Sequence, residues 1–237
     1  MGAKEMIDMP VSERAFQLLR GKILRCEYEP GVKLKIDVLQ RDLGVSSSPL
    51  REALSRLVVE GLVVSDERRG FTAAPISVSD LREVTRLRLM LDCEALAESI
   101  DHGDDQWEAN IVTAFHWLSR IEGRHGEGPL TLDADWTLRH KDFHMALLSG
   151  CSSGKLMKLS SALFDQSERY RRLSIRYRVE PRHKAAEHGE MMDVVLSRKK
   201  NEAVTLLHDH IFRTAENVAA VLGKLASEEL TTKGDSR

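Results

Sequence analysis

Cysteine is scarce. Cys26, Cys93 and Cys151 are odd in number, widely spaced and in no CxxC pair. That argues against a disulfide framework or a thiolate metal site and fits a reducing cytoplasm. Aromatic residues make up only 5% of the 237, too few for a β-sandwich core and in keeping with a mostly helical protein. No apolar run is long enough to span a membrane, and Met1–Pro10 lacks the apolar centre of a signal peptide. Net charge is -2, so no excess of one sign demands a polyanionic partner. An HExxH metalloprotease signature is also missing.

What is present is concentrated between Leu43 and Gly70. Gly44 supplies a left-handed turn after an amphipathic segment, Lys35 to Leu43, with Val38, Leu39 and Leu43 inward. Ser48 reads as an N-cap, Pro49 as the first helical residue and Glu52 as a first-turn acid or capping-box partner. The helix that follows carries Leu50, Ala53, Leu54, Leu57 and Val58 on one face, with Arg51, Ser55 and Arg56 nearer the other. Two helices joined at a glycine, the second polar outside, describe a helix-turn-helix. Gly61 ends the helix, Leu62-Val63-Val64 starts a strand, and Phe71 to Ala74 returns beside it. The hairpin makes a wing tipped by Arg68, Arg69 and Gly70.

Before this motif, residues 1–10 read as a flexible arm. Ser12 is expected to cap a helix from Glu13 to Arg25 that buries Ala15, Leu18, Leu19 and Ile23. The winged helix spans 11–76 and holds 11 Lys/Arg against 9 Asp/Glu, while 77–237 holds 23 against 26, a mild bias toward DNA at the front. From Ser77 the pattern is helical throughout. Ser77 or Ser79 caps a helix to Ile100, followed by Asp105–Glu122, Asp133–Leu148, Lys155–Arg178, Pro181–Ser197 and Asn201–Leu225. The expected fold is mainly α: an N-terminal winged helix-turn-helix, then an all-α antiparallel bundle over 77–225, then a flexible tail, 226–237.

The run Leu43-Gly44-Val45-Ser46-Ser47-Ser48-Pro49-Leu50-Arg51-Glu52-Ala53-Leu54, with Gly61-Leu62-Val63 and Arg69-Gly70, resembles the winged helix of GntR-type bacterial transcription regulators. The helical remainder resembles the FCD effector domain of their FadR-like branch. Arg139 to His144 and Gln166 to Arg171 are most similar to the CsiR-type group. The resemblance implies a cytoplasmic bacterial homodimer reading double-stranded, palindromic operator DNA, with no membrane partner. Arg51 and Arg69-Gly70 match the family's DNA-contacting positions, whereas Ser47 stands where many members carry a second arginine. Ser46, Ser47 and Ser48 at a helix N-terminus suit phosphate contacts, and Arg56 and Arg68 complete the expected DNA-binding set.

In the helical part, His140 and His144 are four apart and share a helix face, so they can hold one ion. His188 and His210 on other helices complete a candidate divalent site for Zn, Ni or Mn. The resemblance implies an Asp where His140 stands, so this chain replaces a charged ligand by a neutral one. The alternative is a polar pocket that hydrogen-bonds the effector directly. His102, His116, His125, His183 and His208 read as ordinary hydrogen-bonded residues. Arg88 falls where the family places a cavity-facing arginine and is a candidate for binding a carboxylate effector, with an internal salt bridge as its other use. Arg169, Tyr170 and Arg172 are further clamp candidates or a solvated charged face.

These features predict a ligand-responsive regulator, a repressor controlled by a small carboxylate, and not an enzyme. The CsiR-type likeness points to a dicarboxylate. A sugar acid or acyl compound sensed without metal is the near alternative. A metal-dependent helical-bundle hydrolase is the distant one, weakened because no Glu-x-x-His pair includes any of the four candidate ligands.

Overall fold

The computed structural model describes residues 9–66, 70–123, 134–176 and 185–234. The chain forms two compact units, Met1–Ile76 and Ser77–Arg237, each with its own hydrophobic core.

The first unit contains α1 (Val11–Leu24), α2 (Ile36–Leu43), α3 (Ser47–Val59), β1 (Val63–Asp66) and β2 (Gly70–Ala73). Helix α1 buries Ala15, Phe16, Leu19 and Ile23. Phe16 takes the place expected of Leu18, because its larger ring reaches the core from the flank of the stripe. No side-chain cap opens α1; Pro10 precedes it, so Ser12 lies inside the helix. In α2 only Leu39 is fully buried, and Val38 is 43% exposed, since an eight-residue helix presents one narrow face. Gly44 closes α2 at φ 63°, a conformation that costs a side-chain-bearing residue about 1 kcal/mol or more.

Helix α3 starts at Ser47, with Ser46 in the N-cap position and no side-chain cap bond. This corrects the expectation that Ser48 caps and Pro49 leads. Pro49 is the third helical residue, tolerated because first-turn N–H groups have no intrahelical acceptor. A box between Ser48 and Glu52 therefore does not form. Leu50, Ala53, Leu54 and Leu57 are wholly buried, each leucine contributing about 1.5–3 kcal/mol of apolar burial. The strands pair antiparallel, Val63 opposite Ala73 and Asp66 opposite Gly70. Lys33, outside both strands, bridges to Thr72 of β2.

The second unit consists, among the described residues, of α4 (Val78–His102), α5 (Asp105–Glu122), α6 (Ala134–Leu148), α7 (Gly154–Arg176), α8 (Ala185–Leu196) and α9 (Lys200–Gly234). Ser77 caps α4 by accepting from the Asp80 amide, and Asp104 caps α5 by accepting from the Trp107 amide. Helix α4 packs on α9 and α7, and α5 on α6 and α8, around a core of Trp107, Ile111, Trp136, Phe143, Leu147 and Ile211. Arg198 donates to the Ile100 carbonyl at 2.7 Å and the Gly103 carbonyl at 2.8 Å, satisfying carbonyls at the end of α4. Helix α9 continues to Gly234, past the expected end at Leu225. Its added residues are polar but include Ala, Glu, Leu and Lys, all good helix formers. No described helix is long and apolar enough to cross a membrane.

Candidate DNA-reading face and metal centre

In the first unit the exposed surface of α3 is formed by Ser47, Ser48, Arg51, Glu52, Ser55 and Val59, with Ser46 just before it. The positions advance by four along one side because 3.6 residues complete a turn. Arg51 is exposed and makes no hydrogen bond or ion pair among the described residues, so its guanidinium is available to a base edge or phosphate.

Arg56 is placed differently. Its Nη1 donates to Glu13 Oε2 at 2.8 Å, and the guanidinium lies 3.8 Å from the Phe16 ring centroid. Hydrogen bonds from Gln17 and Arg56 hold the Glu13 carboxyl below its usual range. Arg56 thus straps α3 to α1, a second strap being Arg20 Nε to Glu60 Oε2 at 2.9 Å; it is engaged within the unit rather than presented with Arg51. Gly70 opens β2 at φ 77° with nothing within 4 Å of where a Cβ would stand. Arg68 and Arg69, the expected wing tip, lie outside the described residues, as do His125 and His183.

In the second unit the structure brings His140 and His144 of α6, His188 of α8 and His210 of α9 together. One ligand atom from each lies within 4.8 Å of all the others, and all four residues are buried. The Nε2 atoms of His140 and His144 are 3.1 Å apart. Two nitrogens bound to one ion at ~2.1 Å stand about 3.0–3.4 Å apart, so this pair already has ligand spacing.

The surroundings orient the rings. Glu187 Oε2 lies 3.1 Å from His210 Nδ1 and Glu122 Oε1 lies 3.4 Å from His188 Nδ1, placing a carboxylate beside each ring. Glu122 Oε1 also accepts from Trp136 Nε1 at 3.2 Å, and the Trp136 ring stacks on His140 with centroids 4.6 Å apart. Burial, followed by coulombic repulsion from His210, His188, Arg88 and Arg171, pushes His144 well below its ordinary pKa. It is therefore neutral near pH 7, as a metal ligand must be. Four imidazoles with two carboxylates beside them fit a divalent ion. His102, His116 and His208 are exposed, and Asp142 faces Arg139 at 3.3 Å instead of the cluster.

Beside the imidazoles is a narrow cavity of about 30 Å³ lined by Arg88, His140, His144, Glu168, Arg171 and His210 among others, room for roughly two waters. Arg88 lines it as expected and is also paired. Its Nε and Nη2 each lie 3.0 Å from Asp92 Oδ2, its Nη1 donates to Ser167 Oγ at 3.0 Å, and the guanidinium lies over Phe164. Arg169 and Tyr170 do not line this cavity. Both are buried, and the Tyr170 hydroxyl donates to Asp80. Arg172 donates to Thr137 Oγ1 at 2.6 Å. Ser167, Glu168 and Arg171 occupy the cavity side of α7 instead. Their spacing from Phe164, three, four and seven residues on, was the signal available for finding them.

Gly150-Cys151-Ser152-Ser153-Gly154 fits GxSxG by letters, but it joins two helices and follows no strand, so it forms no nucleophile elbow. Ser152 Oγ instead donates to Glu98 at 2.6 Å.

Residues 11–72 match the gntR family of bacterial regulatory proteins, and residues 83–213 match the FCD domain. The chain belongs to the GntR family. The regulator BphR of Paraburkholderia xenovorans is 38% identical over 84% of this chain and 81% of its own length. The repressor GlaR of Escherichia coli is 32% identical over 83% and 90%. Among solved structures, E. coli McbR/YncC superposes with a TM-score of 0.72 at 18% identity over 92% of this chain and 99% of that one, a likeness of fold. This GntR-family protein is thus a DNA-binding transcriptional regulator with an FCD ligand-binding domain, not an enzyme.

Proposed function

We propose that this regulator is a cytoplasmic repressor, acting as a homodimer, whose operator binding is set by a small carboxylate held beside a divalent metal in the FCD domain. The observation carrying this reading is the buried cluster of His140, His144, His188 and His210 opening on the same cavity as Arg88. Zn, Ni and Mn all accept imidazole ligands, and an ion that takes more than four ligands would leave room for a carboxylate oxygen beside the four histidines. The role of repressor is supported by GlaR, which carries that name. Two copies would place two α3 helices, with Ser46, Ser47, Ser48, Arg51 and the wing residues Arg68, Arg69 and Gly70, on a palindromic operator. Regulation then requires that the effector bind DNA-competent and DNA-incompetent dimers with different affinity. The small cavity favours this, because an acid larger than a few waters must displace side chains to enter.

Thermal melting tests the reading. The purified protein, as prepared and after chelation, is melted with Zn, Ni or Mn and with a panel of mono- and dicarboxylates. A ligand at ~100 times its dissociation constant should add about 2.7 kcal/mol. The expected result is a raised midpoint with metal, a further rise with one class of acid, and loss of both in His144→Ala. An acid effect that survives chelation and His144→Ala would leave sensing to Arg88 without metal.

A further inference from the structure

We infer that Arg171 is a second anion seat in the effector cavity, occupied in this state by the protein's own Glu168 carboxylate, which an incoming acid group must displace. The inference rests on the effector reading above but assigns residues and a switching step it does not contain.

Arg171 is 6% exposed, lines the cavity, and lies with its guanidinium 4.5 Å from the Trp136 ring centroid. Burial lowers its pKa, while the adjoining Glu168 raises it. One end, Nη2, donates to Glu168 Oε2. The other, Nη1, is buried and meets no acceptor among the described residues. A buried guanidinium N–H without an acceptor is costly, so an acid able to reach both ends gains what the present pairing lacks.

Glu168 is suited to leaving. Arg172 Nε lies 3.5 Å from its Oε1, and Thr137 Oγ1 lies 3.4 Å from the same oxygen. On parting from Arg171 the carboxylate therefore keeps two neighbours rather than becoming an orphaned charge. Arg88 is less easily recruited, because Asp92 and Ser167 engage its Nε, Nη1 and Nη2.

Geometry sets the class of ligand. Arg171, His140, His144 and His210 line one cavity, so a compound with two acid groups can place one at the imidazole cluster and one at Arg171. The same exchange gives Glu168 two settings, shared between Arg171 and the Arg172–Thr137 pair or given over to Arg172 and Thr137 alone, which an acid can bias.

The test uses the full chain, with malonate, succinate, glutarate and adipate as probes against propionate, butyrate, valerate and hexanoate. Affinities are measured calorimetrically with Zn present, in wild type, Arg171→Met and Glu168→Gln. Wild type should bind at least one diacid about tenfold or more tighter than its matched monoacid, since a charge-assisted hydrogen bond contributes on that scale. Arg171→Met should lose that preference yet retain the Zn-induced rise in melting temperature, which reports an intact fold and imidazole cluster. Glu168→Gln should bind the diacid more tightly than wild type, because the internal competitor is neutral. Equal binding of diacids and monoacids by wild type, no acid binding at all, or a diacid preference that survives Arg171→Met would overturn the seat. A preference lost in Arg171→Met but indifferent to Zn would uphold the seat while removing the metal from the effector reading.

Discussion

Replacing Arg51 by alanine is expected to abolish specific operator binding while leaving the fold intact. Arg51 is exposed on α3, has no partner among the described residues, and lies on the same face as Ser47, Ser48 and Ser55. A bidentate arginine contact is worth about 1–3 kcal/mol of discrimination, and the proposed dimer would present it twice, so the loss should reach roughly 2–6 kcal/mol. Fluorescence anisotropy with operator and scrambled duplexes, at one stated salt concentration, measures it. The melting temperature should not move, because no contact within the unit is removed.

Arg56→Ala should give the opposite profile. Its loss deprives Glu13 of a 2.8 Å partner and Phe16 of a stacked guanidinium, so melting falls and DNA binding declines only as far as the fold does. If Arg51→Ala binds operator as well as wild type, the exposed side of α3 is not the reading surface.

The contrast between these arginines shows where linear patterning succeeds and where it stops. The helical period places Arg51 and Arg56 alike on the polar side of α3. Only packing against α1, from Glu13 more than forty residues earlier, separates a solvent-facing arginine from a strapped one. Boundaries behave similarly. The sequence offered Ser77 or Ser79 as the cap of α4, and the chain uses Ser77; at α3, Ser46, Ser47 and Ser48 stand in a row, and Ser46 rather than the expected Ser48 takes the N-cap position.

The imidazole cluster was legible for two reasons. His140 and His144 obey the i, i+4 rule by themselves, and the family likeness supplied His188 and His210. Their supporting carboxylates were not legible: Glu122 and Glu187 reach the rings through tertiary packing, with no local spacing to announce it.

Helix α7 shows a different failure. From Leu163 to Ser174 it is buried or half-buried on every side, including Asp165, Glu168, Arg169, Arg171 and Arg172. A helix without a solvent face gives periodicity nothing to resolve, so Arg169 and Tyr170 were as eligible as Arg171. Charged residues on such a helix normally signal exposure; here Glu168 is paired with Arg171 and Arg172, and Asp165 with Lys141 of α6.

A buried ion pair on α4 carries the second large effect. Asp92→Ala is expected to destabilise the helical unit by about 3–5 kcal/mol, the usual result of deleting one member of a buried ion pair. Asp92 is 1% exposed and Arg88 8%, so solvent cannot replace the carboxylate, and Ser167 supplies Arg88 with a hydrogen bond but no charge. Denaturant melts of Asp92→Ala, Arg88→Met and the double variant measure the effect. The double variant should recover most of the loss, because removing both charges removes the desolvation penalty along with the attraction. Equal destabilisation in the single and double variants would mean that Asp92 acts through packing and not as the counter-ion of Arg88. The same geometry constrains sensing: an Arg88 held by Asp92 through two nitrogens cannot be transferred wholly to an incoming acid without most of that cost. Asp92→Ala should therefore be the variant in which carboxylates rescue stability most, by supplying the charge the helix has lost.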